Sequence, residues 1–356
     1  MTPDPTSPDE FVSQEREGAI ERHALGGVFR RAGAADFEDL KTGEGAGRKD
    51  LRSDDPTEYA NREHQSKAAP RGWLLQMVIT FSKNRLALVF FGLLVLIAAF
   101  SFLGPFFYHS NQTDPSRFLG ILGCNNHAPT AQHILGRDPY CWDELGRLMV
   151  GGQSSLEVGF ASAIISMIFG VFYGLFSGFR GGLIDAVMMR FLDVLLSIPG
   201  LFVLLVAFIL FGHTKINLIL VISITGWYGV ARILRSDALS LREREYAQAV
   251  RAMGGGTRRI IGRHIIPNSI STTVTLGTFA IGDSILLLAA IGFLGLGLQS
   301  PQTDWGTMLS TSETAIILNY WWQLWPAVVL FLTVVMSFNY IGDALRDAFE
   351  VRLHER

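Results

Sequence analysis

LALVFFGLLVLIAAFSFLGPFF, residues 86–107, contains no charged side chain. A helix needs about 20 such residues to cross a hydrocarbon core roughly 30 Å thick, so this stretch reads as a membrane span. Further blocks of the same kind occupy 156–179, 191–211, 216–231, 270–296 and 324–341. The expectation is an all-α polytopic membrane protein with about six transmembrane helices. Gly170, Gly174, Pro199, Gly226, Gly292 and Gly295 fall inside these blocks, and Gly297 directly follows one. In lipid such residues let helix backbones approach or bend, so they read as packing points and hinges.

Lysine and arginine set the expected orientation. With the N-terminus inside, the segments 71–85, 180–190, 232–268 and 346–356 carry 16 basic residues, whereas 108–155, 213–217 and 297–323 carry 4. That bias places both termini in the cytoplasm. The formal net charge of −2 averages over two compartments and says little about partners.

Residues 1–72 hold 15 acidic and 11 basic side chains and few large apolar ones. Such a composition buries too little surface to offset ordering entropy, so a largely disordered cytoplasmic extension is expected. Within it, Ile20, Ala24, Leu25, Val28 and Phe29 approximate one helical face before Arg30 and Arg31, as a docking or membrane-surface helix would. The extension lacks the apolar core of a cleavable signal peptide, which leaves the first span as its own signal. The chain's two cysteines, Cys124 and Cys141, share the external loop after that span. They are either bridged, which would stabilise the loop by roughly 3 kcal/mol, or two unpaired thiols.

The loop 232–268 has helical patterning of its own. Tyr246, Ala249, Val250 and Met253 recur at the spacing of one helix face. Gly254, Gly255 and Gly256 would break that helix, Thr257 would cap a second one carrying Ile261, His264 and Ile265, and Pro267 would end it. A helix-turn-helix elbow results. Composition alone serves equally well for a pair of amphipathic helices lying on lipid.

The run Glu245-Tyr246-Ala247-Gln248-Ala249-Val250-Arg251-Ala252-Met253-Gly254, with His264-Ile265-Ile266-Pro267-Asn268 after it, resembles the Glu-Ala-Ala loop of ABC importer permeases. Tyr246 stands where the general pattern has its first alanine, as in the dipeptide, oligopeptide and nickel branch. Gly181-Gly182 with Asp185, Met189-Arg190, Asp193 and Ser197-Ile198-Pro199 resembles the C-type subunit of that branch. So do Phe293-Leu294-Gly295-Leu296-Gly297, Pro301 with Trp305-Gly306, and Leu345-Arg346-Asp347-Ala348. The likeness covers about 73–350, leaving 351–356 as a short tail. One departure lies in the external loop, where Gly136-Arg137-Asp138 and Cys141-Trp142-Asp143 replace the usual Gly-Thr-Asp and Gly-Arg-Asp, although Asp138, Asp143 and Arg147 keep the charges.

The resemblance implies a type I importer permease fold in the cell membrane. It also implies a second homologous permease, two cytoplasmic ATPases that push the elbow, and an extracytoplasmic solute-binding protein. Peptides are the expected cargo, with nickel or another small solute as the alternative. No phosphate loop of the form G-x-x-x-x-G-K-[ST] occurs, so ATP and Mg²⁺ would belong to the ATPases and no cofactor to this chain. The expected coupling residues are Glu245, Tyr246, Ala247, Ala249, Arg251, Met253, Gly254, His264 and Pro267.

Charges near the spans complete the reading. Asp185, Arg190 and Asp193 form an expected structural cluster, with Arg190 reaching Asp193 one turn on. Asp283 is the one charge within 270–296 and is either a pathway residue or a polar contact to Ser284 or the partner permease. An ion channel would explain six spans and Asp283 but not the basic, glycine-broken loop. A membrane enzyme would need a catalytic or metal-ligating constellation, and the eight histidines show no such spacing; His109, His127, His133 and His213 face outside. No metal site and no nucleic-acid partner are expected.

Overall fold

Asn84 accepts a hydrogen bond from the Ala87 backbone at 3.2 Å and so separates two helices, α1 (Trp73–Lys83) and the first span α2 (Arg85–Phe107). The structure is a computed structural model that describes residues 73–113, 128–254, 256 and 260–354. The expected extension, with its Ile20 to Arg31 helix, lies outside the described residues, as do Cys124, His127 and Thr257. After α2 come α3 (Glu144–Arg180), α4 (Gly182–Ser197), α5 (Gly200–Phe211), α6 (Lys215–Arg242) and α7 (Glu245–Ala252). A π-turn (Ile261–Ile265), α8 (Ile266–Asn268) and α9 (Ile270–Ile291) follow. A second π-turn (Gly292–Leu296), α10 (Trp305–Thr311), α11 (Glu313–Ile317) and α12 (Trp321–His354) complete the chain. Among the described residues β structure is limited to a single bridge between Arg137 and Asp143.

Five helices are long and apolar enough to cross a membrane, and a sixth span exists if one bent pair counts as one. That pair replaces the expected block 191–211 with two helices that begin earlier, at Gly182, and break at Pro199, one of the expected hinges. α4 and α5 meet at 78° across Ile198–Pro199. Proline lacks the N–H that would continue the helix and pushes the residue before it into extended backbone, where Ile198 lies at φ −89°, ψ 124°. Three other helices clearly outrun their apolar blocks, among them α12, which continues past 341 to His354. α3 begins 12 residues before 156, where Asp143 accepts from the Gly146 N–H at 2.8 Å, and α6 continues to Arg242, well into the expected loop.

The bundle is built around α3 and α6, whose backbones touch. A Cβ on Gly174 would sit 2.3 Å from the Ala231 carbonyl oxygen, and one on Gly178 would sit 2.5 Å from that of Arg235. Ser166 donates across the seam to the Ser223 carbonyl at 3.1 Å. Without a hydrophobic drive between helices in lipid, close approach and such hydrogen bonds hold the pair. Three apolar clusters flank it. One joins Leu148, Ile285, Trp305 and Phe331; a second joins Leu204, Phe208, Ile222 and Leu288; the third joins Leu175, Phe179, Leu234, Ile260 and Ile265.

Candidate functional site: an elbow and an opposite polar cap

α6 ends at Arg242, and the chain turns at once into α7, whose first turn is closed by the Ala247 N–H bonding the Arg244 carbonyl at 2.9 Å. Ala247 is fully buried and Val250 packs on the third cluster. Glu245, Gln248, Ala249, Ala252 and Gly254 are exposed, as is Met253 at 79 %. The expected shared face of Tyr246, Ala249, Val250 and Met253 is therefore corrected: Val250 turns to the bundle while Ala249 and Met253 turn away. Two causes act together. α7 stops at Ala252, which puts Met253 in the turn, and α7 approaches closely enough that alanine, not a longer side chain, makes the buried contact.

Gly254 has φ +79°, a left-handed conformation that glycine adopts at no steric cost. Beyond it, Ile260 and Ile265 are buried in the third cluster and form the second arm. That arm includes a π-turn, and Pro267 does not end it. Proline is tolerated in a first helical turn, and Pro267 sits at the start of α8; the break comes two residues on, at Ser269 (φ −88°, ψ 2°). Tyr246, Arg251 and His264 lie on the backbone of the two arms. The elbow thus has an anchored back and a free front.

Beside it, the charge cluster differs from expectation. Asp193 pairs with Arg232 of α6 at 2.5 Å, not with Arg190, whose side chain is exposed. Asp185 takes both prongs of Arg235, each at 2.6 Å, and the Ser177 hydroxyl at 2.5 Å. Cross-helix partners win because Arg232 and Arg235 of α6 both reach across to α4. Asp283 is exposed on α9 while Ser284 is buried, so the two adjacent side chains face apart. Asp283 points away from the chain's own core.

At the other end of α3 lies a polar network that sequence reading did not assemble. Asp143 accepts from the Tyr108 hydroxyl at 2.9 Å and meets His133 Nδ1 at 2.7 Å, and His133 Nε2 meets Arg137 at 2.6 Å. Asp138 accepts from the backbone N–H groups of Tyr140 and Trp142 and from Arg147, whose other prong donates to Thr303 at 3.3 Å. Burial pushes the Asp138 carboxyl above its usual range, although Arg147 and the two N–H groups pull the other way. The Tyr108 phenol is likewise raised, first by burial and then by the Asp143 carboxylate. Trp305 is fully buried and donates to the Leu148 carbonyl at 3.2 Å. Beside this network a cavity of about 370 Å³ opens between Trp142, Arg147, Leu298, Pro301 and Thr303. Cys141 is buried at φ +71° and is disulfide-bonded.

A bundle of five or six spans with a bundle-anchored, outward-facing elbow fits the membrane subunit of a transporter. The chain belongs to the binding-protein-dependent transport system inner membrane components, the permease subunits of ABC importers, and within them to the C-type subunits of the peptide branch. The model of that family matches residues 170–355, and the model of the N-terminal transmembrane domain of oligopeptide transport permease C matches 73–129. The dipeptide transport system permease protein DppC of Bacillus subtilis is 34 % identical over 76 % of this chain and 83 % of its own length. The oligopeptide transport system permease protein OppC of Haemophilus influenzae is 36 % identical over 76 % and 86 %. The glutathione transport system permease protein GsiD of Pectobacterium atrosepticum is 34 % identical over 64 % and 75 %.

Proposed function

We propose that this chain and a second, homologous permease form the membrane pathway of an ATP-driven importer of dipeptides or oligopeptides, fed by an extracytoplasmic solute-binding protein. Two cytoplasmic ATPases bind the ATP and Mg²⁺, and this chain converts their closure into movement. The observation that carries the reading is the two-sided elbow: Ala247, Val250, Ile260 and Ile265 lock its back to α3 and α6, while Ala249, Met253 and Gly254 face out. A surface held this way transmits a push instead of absorbing it. The basic bias puts the elbow and both termini in the cytoplasm and the polar cap outside. Peptide cargo is supported by the relatives, whose names carry dipeptides, oligopeptides and glutathione.

Deleting the gene for this chain should abolish uptake of labelled dipeptides or oligopeptides by cells, and returning it should restore uptake. A further variant that removes the phosphate-loop lysine of the ATPases should abolish uptake again. Uptake that survives either loss would sink the proposal.

A further inference from the structure

α3 and α6 behave as one piece, because their backbones are in contact at Gly174 and Gly178, and the elbow grows directly from the end of α6. α4 lies beside this piece and is apolar and largely exposed; within it only Asp185 and Leu192 are buried. What ties α4 to α6 is charge. Arg235 grips Asp185 with two prongs at 2.6 Å, a geometry that fixes direction as well as distance, and Ser177 of α3 adds a third bond at 2.5 Å. A second tie, Arg232 to Asp193 at 2.5 Å, is half-exposed and weaker.

The near end of α4 is also held by the root of the elbow. Gly181 has φ +64°, and the Arg242 guanidinium occupies the space where its Cβ would be. Arg242 is the last residue of α6 before the elbow. At its far end α4 bends by 78° through Ile198–Pro199 into α5. α5 then packs Phe208, fully buried, against Leu288, Ile291 and Leu298, and His213 beyond it meets the Leu296 carbonyl at 3.0 Å. Leu298 lines the cavity of the polar cap. A continuous set of contacts therefore runs from the elbow to the opposite mouth, with one bend in it.

We propose that α4 is a strut latched to the elbow-bearing pair by Asp185 and Arg235, that Ile198–Pro199 is its hinge, and that these two charged residues position the mouth of the pathway in step with the ATPases. Movement of α6 carries α4 through the two-pronged pair, and the hinge redirects it into α5. Breaking the latch leaves the elbow attached to α6, so ATP is still hydrolysed, but α4 and its hinge no longer move in step with α6, and α5 follows only through the apolar packing of Leu204 and Phe208 on Ile222, which fixes no direction. The inference rests on the transport reading above.

The test measures peptide accumulated per ATP hydrolysed by the whole complex, permeases, ATPases and binding protein together, in proteoliposomes. Asp185→Asn should lower that ratio about tenfold, within the usual range of coupling between sites, while the complex still assembles and hydrolyses ATP. Asp185→Glu should recover part of it, and the exchanged pair Asp185→Arg with Arg235→Asp should recover more than either single change. Should Asp185→Asn fail to assemble, Arg235→Lys keeps the charge, loses the two prongs and is expected to lower the ratio in the same way. An unchanged ratio, or uptake and hydrolysis falling in parallel, would overturn the latch. Wild-type complex that hydrolyses ATP without accumulating peptide would instead overturn the transport reading itself.

Discussion

Replacing Gly254 by valine should slow uptake by a factor that follows from the turn alone. At φ +79° an L-residue places its Cβ against the following carbonyl, which costs roughly 1–2 kcal/mol. Nothing lies within 4 Å of a Cβ built there, so no clash within the chain adds to that cost. One to two kcal/mol lowers the population of the docking-competent turn about 5–30-fold. The initial rate of labelled-peptide uptake should fall in proportion, with the chain inserted at its normal level by immunoblot. Gly254→Asn supplies the control, because asparagine has similar bulk but visits the left-handed region routinely, and it should retain most of the uptake. A valine variant that transports at the wild-type rate would refute the reasoning. So would an asparagine variant that falls as far as valine, since bulk and not backbone would then be at fault.

Peptide mapping of the native protein without reductant should find Cys124 linked to Cys141, and free alkylation of both thiols would exclude the bridge. A chain beginning at about Pro70 should insert with unchanged topology and import peptide near the full-length rate; assembly with lost transport would make residues 1–72 a functional element. Trp305→Ala should destabilise the protein by about 3–5 kcal/mol, because a fully buried indole and its bond to the Leu148 carbonyl are both lost. Thermal unfolding of the detergent-solubilised protein reads this, and an unchanged midpoint would show that the cap is not part of the core.

The spans were legible because composition is enough to recognise a charge-free stretch such as 86–107, which matches α2 to one residue. Direction is another matter. Hydropathy counts apolar side chains and ignores backbone, so 191–211 read as one span although Pro199 already carried the signal for the 78° bend. The elbow was legible through its glycine break, yet its buried face was not. Periodicity weights large side chains, and the contact is made by Ala247. The charge cluster was read along one helix, where Arg190 and Asp193 are neighbours, but Arg232 and Arg235, one turn apart on α6, hold the actual pairs. The polar cap was out of reach for a different reason. Arg147 meets Thr303, and Ser155 accepts from the Trp305 backbone N–H, across about 150 residues, a separation with no local period.

Accumulation against a gradient separates an importer from a channel most directly. Proteoliposomes holding this chain, its partner permease and both ATPases would enclose ATP and Mg²⁺ on the elbow side, with binding protein and labelled peptide on the other. Internal peptide should rise above its external concentration, only with ATP and only when this chain is present. Equilibration without ATP, or accumulation by vesicles that lack this chain, would contradict its assignment as a pathway-forming permease.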